Sequence, residues 1–146
     1  MIKIKSAIIL TILISNILCY SQFAGGTGTL EDPYQIATAD QLNNVRNYKT
    51  SSFRQIADID LGVPPWNEGT GWRPIGNYVW TDPGQSFRGN YDGGGYKISN
   101  MYVNLNDGSY MGLFGSTEGC KLKNINIVNF YIESNEGGIG GLTGIS

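Results

Sequence analysis

The sequence contains no histidine. That absence removes His-dependent triads, Cys–His dyads and the common zinc sites together, since each needs an imidazole as base or ligand. Cysteine is nearly as scarce, with only Cys19 and Cys120. Cys19 falls in an N-terminal leader, so Cys120 has no partner in the mature chain and a disulfide scaffold is excluded. Cys120 reads as a small buried filler. Charge of either sign is sparse, at 10 Lys+Arg against 12 Asp+Glu. The leader carries Lys3 and Lys5 and no acid, so its loss takes the net charge from −2 to −4. No basic stripe remains to neutralise phosphates, and nucleic acid is not an expected partner. Long runs of Ala, Leu, Glu and Lys are also missing. Beyond residue 53 no apolar pattern has helical spacing, which argues against a helical repeat.

The leader has the form of a secretory signal peptide over residues 1–21. Lys3 and Lys5 precede an apolar stretch from Ala7 to Leu18, and Cys19-Tyr20-Ser21 places small residues at −3 and −1 of a cut before Gln22. The stretch is too short for a spanning helix. An uncleaved anchor is the rival on length, and acylation of Cys19 is disfavoured by the bulky Leu18. The mature chain is expected to have no membrane span and to be secreted or held at the cell surface.

What is present points to β structure. Tyr, Ile, Val, Phe and Thr are plentiful, among 21 glycines and many asparagines, a composition of short strands and frequent turns. Glu31-Asp32-Pro33-Tyr34-Gln35-Ile36 reads as a turn and a short strand. One helix is expected near 38–49: Thr38 is a good N-cap with Gln41 three residues on, and Leu42, Val45 and Tyr48 share a face. Within Phe53–Leu61, Ala57, Ile59 and Leu61 face inward and Asp58 and Asp60 outward. Residues 22–62 thus form an N-terminal capping segment. Residues 63–86 are a Pro- and Trp-rich loop excursion, and 87–146 are regular again.

The regular part repeats itself. Lys97-Ile98-Ser99-Asn100-Met101-Tyr102-Val103 matches Lys121-Leu122-Lys123-Asn124-Ile125-Asn126-Ile127 at a spacing of 24 residues. A period of roughly 20 to 50 residues marks stacked repeats. Short strands at that period predict an all-β parallel β-helix, a solenoid of about 24 residues per coil with one capping helix. Ile98 would then lie over Leu122 and Met101 over Ile125. Asn100 would lie over Asn124 as an amide ladder. The chain reaches Ser146 inside a glycine-rich repeat, which reads as part of a longer protein with an open coil available for self-association.

Gly112-Leu113-Phe114-Gly115, Leu122-Lys123-Asn124-Ile125 and Gly137-Gly138-Ile139-Gly140-Gly141-Leu142-Thr143-Gly144 resemble the GLUG-motif proteins of bacteria. The opening Gly28-Thr29-Leu30-Glu31-Asp32-Pro33-Tyr34-Gln35-Ile36, then Trp72-Arg73-Pro74-Ile75-Gly76, Phe87-Arg88-Gly89 and Tyr91-Asp92-Gly93-Gly94-Gly95-Tyr96-Lys97-Ile98, are similar to that family's wording. The likeness covers most of 25–146. It implies secreted or surface-attached proteins on right-handed β-helices, many adhesin-like, some accompanying surface proteases as accessory regions. The long repeat array typical of the family is absent here.

Chemistry is thin. Asp58 and Asp60, two apart on a strand, fall within the spacing of a glycosidase carboxyl pair, but alternation alone puts acids on a wet face. Asp58, Asp60, Asp82 and Asp92 match no calcium-loop spacing. Gly25-Gly26-Thr27-Gly28 lacks the lysine of a phosphate loop. No catalytic residue, metal or cofactor is expected. The aromatic cluster Trp66, Trp72, Tyr78 and Trp80 is the candidate carbohydrate contact, with local packing as the plainer role. The expected function is a non-enzymatic, exported surface module for adhesion or structure, with glycans or surface proteins as partners. The alternatives are a carbohydrate-binding module or fragment of a glycan-processing enzyme, and an accessory scaffold of a surface protease.

Overall fold

The computed structural model describes residues 22–76, 85–106, 110–134 and 138–145. The expected leader lies outside them, as do Tyr78, Trp80 and Asp82. Near the N-terminus Thr38 caps the helix α1 (Ala39–Asn44). Its Oγ1 accepts from the Gln41 N–H at 3.3 Å, and Gln41 Oε1 accepts from the Ala37 N–H at 2.8 Å, so two otherwise unpaired donors are satisfied. The helix tightens into a 3₁₀ turn at Val45–Asn47. Leu42 and Val45 are buried in the core; the opposite side is polar.

The fold is otherwise all-β and its strand pairs are parallel. The first sheet takes β1 (Tyr34–Ile36), β2 (Ser52–Gln55), β4 (Asn90–Asp92) and β8 (Lys121–Lys123) in that order. The second takes β3 (Ile59–Asp60), β5 (Lys97–Ser99) and β9 (Asn126–Val128). Two further pairs join β6 (Tyr102–Asn104) to β10 (Tyr131–Glu133), and β7 (Phe114–Ser116) to β11 (Thr143–Ile145). Alternation sets the faces. Tyr34, Phe53, Tyr91 and Leu122 form one inward column, and Ile59, Ile98 and Ile127 another. The columns meet in a single core: Phe114 packs on Phe87 at 4.9 Å and on Tyr91 at 5.7 Å between ring centroids.

The pairing corrects the expected register. Ile98 lies beside Ile127, 29 residues on, and Leu122 lies beside Tyr91. Val103 with Ile132 and Phe114 with Thr143 repeat the spacing of 29. The 24-residue match therefore does not measure the distance between stacked strands. It records one local corner used twice on different sheets. In each copy a three-residue strand runs into an asparagine in the left-handed region, Asn100 at φ 58° and Asn124 at φ 53°, which asparagine tolerates better than most residues. Each amide then donates to an aspartate on the preceding strand. Asn100 Nδ2 reaches Asp60 Oδ1 at 2.8 Å and Asn124 Nδ2 reaches Asp92 Oδ1 at 2.9 Å. The ladder expected between Asn100 and Asn124 is thus two separate Asn–Asp pairs.

The Gly-Leu-Phe-Gly run also acquires a physical reason. Leu113 and Phe114 are buried, while the glycines let neighbouring backbones close in. A Cβ on Gly112 would lie 2.5 Å from the Gly140 carbonyl oxygen, and one on Gly115 would lie 2.4 Å from that of Gly76. Buried polar groups are paired. Gln55 donates from Nε2 to the Ala57 and Lys97 carbonyls at 2.8 and 3.0 Å and accepts from the Tyr91 hydroxyl at 3.3 Å. Burial pushes the Tyr91 phenol well above its usual range, so it stays a neutral donor in this network.

Candidate functional site

Of the aromatic cluster expected to meet a glycan, the structure describes Trp66 and Trp72. Trp72 is 0 % exposed. Its Nε1 donates to the Leu113 carbonyl at 3.2 Å, Trp66 packs on it at 5.6 Å between ring centroids, and the Arg46 guanidinium lies 5.5 Å from its ring centroid. Arg46 is itself fixed, donating to the Asn43 carbonyl at 3.0 Å and the Arg73 carbonyl at 2.8 Å. Burial, with repulsion from Arg73, pulls its pKa down. With no ring face open, Trp72 cannot stack on a sugar; it is one of the large side chains of the main core. Trp66 is half-buried against it.

The outward carboxylates on the strands serve as corner acceptors. Asp58 Oδ1 accepts from the Lys97 N–H at 2.8 Å. Asp60 Oδ1 accepts from Asn100 and from the Gly62 N–H, and these two bonds hold its carboxyl below the usual range. Asp92 does the same one corner earlier. Burial opposes its charge, but bonds from Asn124, the Gly94 N–H and Lys123 outweigh that and bring its pKa to about 2. Among the described residues no three His, Cys, Asp or Glu side chains gather as a metal site would need.

Concavity and charge coincide elsewhere, on the outer face of the β1-β2-β4-β8 sheet. Register places Gln35, Arg54, Asp92 and Lys123 side by side across four strands, with Ser52, Asn90 and Lys121 as the neighbouring row. A cavity of about 260 Å³ opens over them, with Leu30, Glu31 and Pro33 as one wall. The floor continues past Arg54 and Asp92 to the turn at Gly94–Gly95 and to Asn124–Asn126. Lys123 Nζ lies 3.1 Å from Asp92 Oδ2, and Asn90 Nδ2 donates to Ser52 Oγ at 3.1 Å. Arg54 and Lys121 are exposed and form no side-chain hydrogen bond or ion pair among the described residues. No motif in the sequence marks this face. Its signal was the alternation Ser52-Phe53-Arg54 and Lys121-Leu122-Lys123. Those two segments lie far apart in the chain, and only the correct register brings them to one surface.

No family model matches the chain, and no solved structure matches it. Over 129 residues it is 42% identical to a protein of Evansella cellulosilytica named "Putative Gly-rich membrane protein", a match covering 85% of this chain and 14% of that protein. Over 111 residues it is 36% identical to halomucin of Haloquadratum walsbyi, covering 71% of this chain and 1% of halomucin. The chain thus spans a small part of the length of both relatives. Among the described residues no helix is long and apolar enough to cross a membrane.

Proposed function

We propose that this chain is a non-enzymatic structural or adhesive module of an exported surface protein, built as windings of a right-handed parallel β-helix of the GLUG kind. The observation that carries the reading is the shared strand order. Four sets of short strands pair in parallel, follow chain order, and advance by 29 residues or a little more at the last step, around one core. Parallel crossover connections are right-handed in nearly all proteins, which supports that hand here. The similarity to a protein named as a membrane protein and to halomucin supports a place at the cell boundary, and the leader at 1–21 supports export. The outward carboxylates are engaged in corners rather than poised around a bond, in keeping with a scaffold. The end formed by β8 to β11 is the proposed surface for self-association.

A cross-linking experiment tests the architecture. In a Cys120→Ser background, Ser99→Cys with Val128→Cys joins neighbouring strands in the observed register and is expected to oxidise to a disulfide. Ser99→Cys with Lys123→Cys joins the positions that a 24-residue coil would stack, and is expected to stay reduced because the Cα separation is too great. The opposite outcome rejects the proposed winding. Export is tested by protease added to intact cells: loss of the protein from the cell fraction supports surface exposure, and full protection rejects it.

A further inference from the structure

We infer that two copies of this chain close into a twofold dimer through the β8–β11 end. The axis passes beside the Asn129–Phe130 corner, and β9 of each copy pairs antiparallel with β10 of the other. The inference deepens the self-association proposed above and rests on that reading for the winding. The first argument is which surfaces are open. Among the described residues β8, β9, β10 and β11 each have one unpaired edge, a row of N–H and C=O groups ready to pair. The opposite end offers no matching edge on the first sheet. There Gly25 bridges Gln35 in antiparallel fashion. The Ala24 N–H donates to the Gln35 carbonyl at 2.9 Å and the Gln35 N–H to the Gly25 carbonyl at 2.8 Å, so the outer edge of β1 is covered at its centre. Leu42 and Val45 close the core beside it. A head-to-tail contact joins two different surfaces and can repeat without end, whereas a twofold contact joins one surface to itself and closes at two. With β1 covered, the open end is left to meet its own copy.

The second argument is shape. Successive strands of a winding stand as steps of one ramp, because a full turn advances by about 4.8 Å, one strand spacing. Two copies of a ramp meet without a gap when they are turned about an axis through the middle of the run. The middle of β8–β11 lies between β9 and β10, at the corner where Asn129 takes a left-handed φ of 52°. That axis lays β9 on β10 of the second copy, and β8 on β11. Counting outward from the corner opposes Val128 to Tyr131, Ile127 to Ile132 and Asn126 to Glu133. The half-buried inward residues Ile127 and Ile132 thus complete one another's core, and the exposed Phe130 and Tyr131 come together near the axis.

The third argument is charge and size. In this pairing Lys121 and Lys123 face β11, which carries no charge, and Glu133 faces the Asn126 amide. An axis through β8 would instead set lysine against lysine, and like charges directly opposite are unfavourable. The winding presented at this end runs from Lys121 to Ile145, a length inside the roughly 20–30 residues a side of a stable interface.

Light scattering of the exported chain tests the stoichiometry, and single cysteines test the axis. The mass is expected to level at two chains as concentration rises. In a Cys120→Ser background, Phe130→Cys is expected to oxidise to a covalent dimer, because the two copies of a position beside the axis come within disulfide reach. Leu30→Cys, exposed near β1, is expected to stay a single chain. Val128→Lys with Tyr131→Lys opposes like charges on both sides of the axis and is expected to weaken the dimer about tenfold, the size of two cross-strand pairs. Val128→Lys with Tyr131→Glu opposes unlike charges and is expected to stay within about threefold of the wild type. Both should keep the wild-type circular-dichroism spectrum, because these side chains point outward. A single-chain mass at every concentration, which leaves this end to a different partner, overturns the dimer. So does growth past two chains, cross-linking of Leu30→Cys as readily as Phe130→Cys, or a Lys/Lys variant with the normal spectrum that dimerises as the wild type does. Each of these failures leaves the 99/128 cross-link intact, so loss of the dimer and loss of the winding are read separately.

Discussion

At the scale of single residues, the informative side chains are those that close corners. Asp60 and Asp92 each accept from a glycine N–H two residues on and from an asparagine on the next strand. Such bonds favour the charged carboxylate, and this sets a direction for stability against acid. Asp92 titrates at about 2 in the folded chain, below the value near 3.9 of an unstructured aspartate. The group therefore contributes stability that is fully present above about pH 4 and is lost as pH falls through about 2. Thermal unfolding followed between pH 5 and pH 2 should show the melting temperature falling across that window. Asp92→Asn removes the titrating group and should flatten the fall, leaving the part due to Asp60, whose carboxyl is shifted the same way. A variant with the wild-type slope would show that Asp92 gains nothing from its charge in the fold.

At the scale of elements, glycine placement decides how closely strands approach. Gly115→Ala would set a methyl 2.4 Å from the Gly76 carbonyl oxygen and 2.9 Å from that of Tyr110. Both are backbone atoms that cannot swing away, so the expected cost is about 1–3 kcal/mol. Gly25→Ala meets only the flexible end of Gln35 and should stay within about 0.5 kcal/mol. Denaturant midpoints compare the two, and equal values would remove the close-packing account of the motif. The same elements show how far the sequence could be read. The cap at Thr38 and Gln41, the buried Leu42 and Val45, and the alternation at Ile59, Asp60 and Leu61 all rest on local signals, and the structure has them. The strand spacing does not rest on a local signal. The corner motif at 97 and 121 is the stronger textual repeat, but its two copies lie on different sheets, one after β5 and one after β8. The weaker repeat from Gly112-Leu113 to Gly141-Leu142 carries the true spacing of 29, because it leads directly into the paired strands β7 and β11, where Phe114 lies beside Thr143. The cavity on the outer face of the first sheet was hidden for the same reason, since Arg54 and Lys121 become neighbours only once that register is known.

At the scale of the whole molecule, the two ends differ. Near β1 the core is covered by Leu42 of α1 and Val45 of the 3₁₀ turn that follows it, both fully buried. At the other end β8, β9, β10 and β11 are each at the edge of their sheet among the described residues. Their inward residues Leu122, Ile127, Ile132 and Leu142 are only half-buried, while Tyr91, Ile98, Val103 and Leu113 in the preceding strands and turns are fully enclosed. Around this end Phe130, Tyr131 and Ile139 are 50, 58 and 56 % exposed. Free strand edges beside apolar side chains are the usual site of association between chains. Light scattering of residues 22–146 should therefore show a mass that rises with concentration. Phe130→Lys with Ile139→Lys places like charges on that end and should return the mass to that of one chain. Arg54→Gln, on a face of the molecule with no free edge at its centre, should leave the association unchanged. A single-chain mass for the wild type at every concentration would mean that these edges are protected in solution, and would remove the β8–β11 end as the proposed contact between copies.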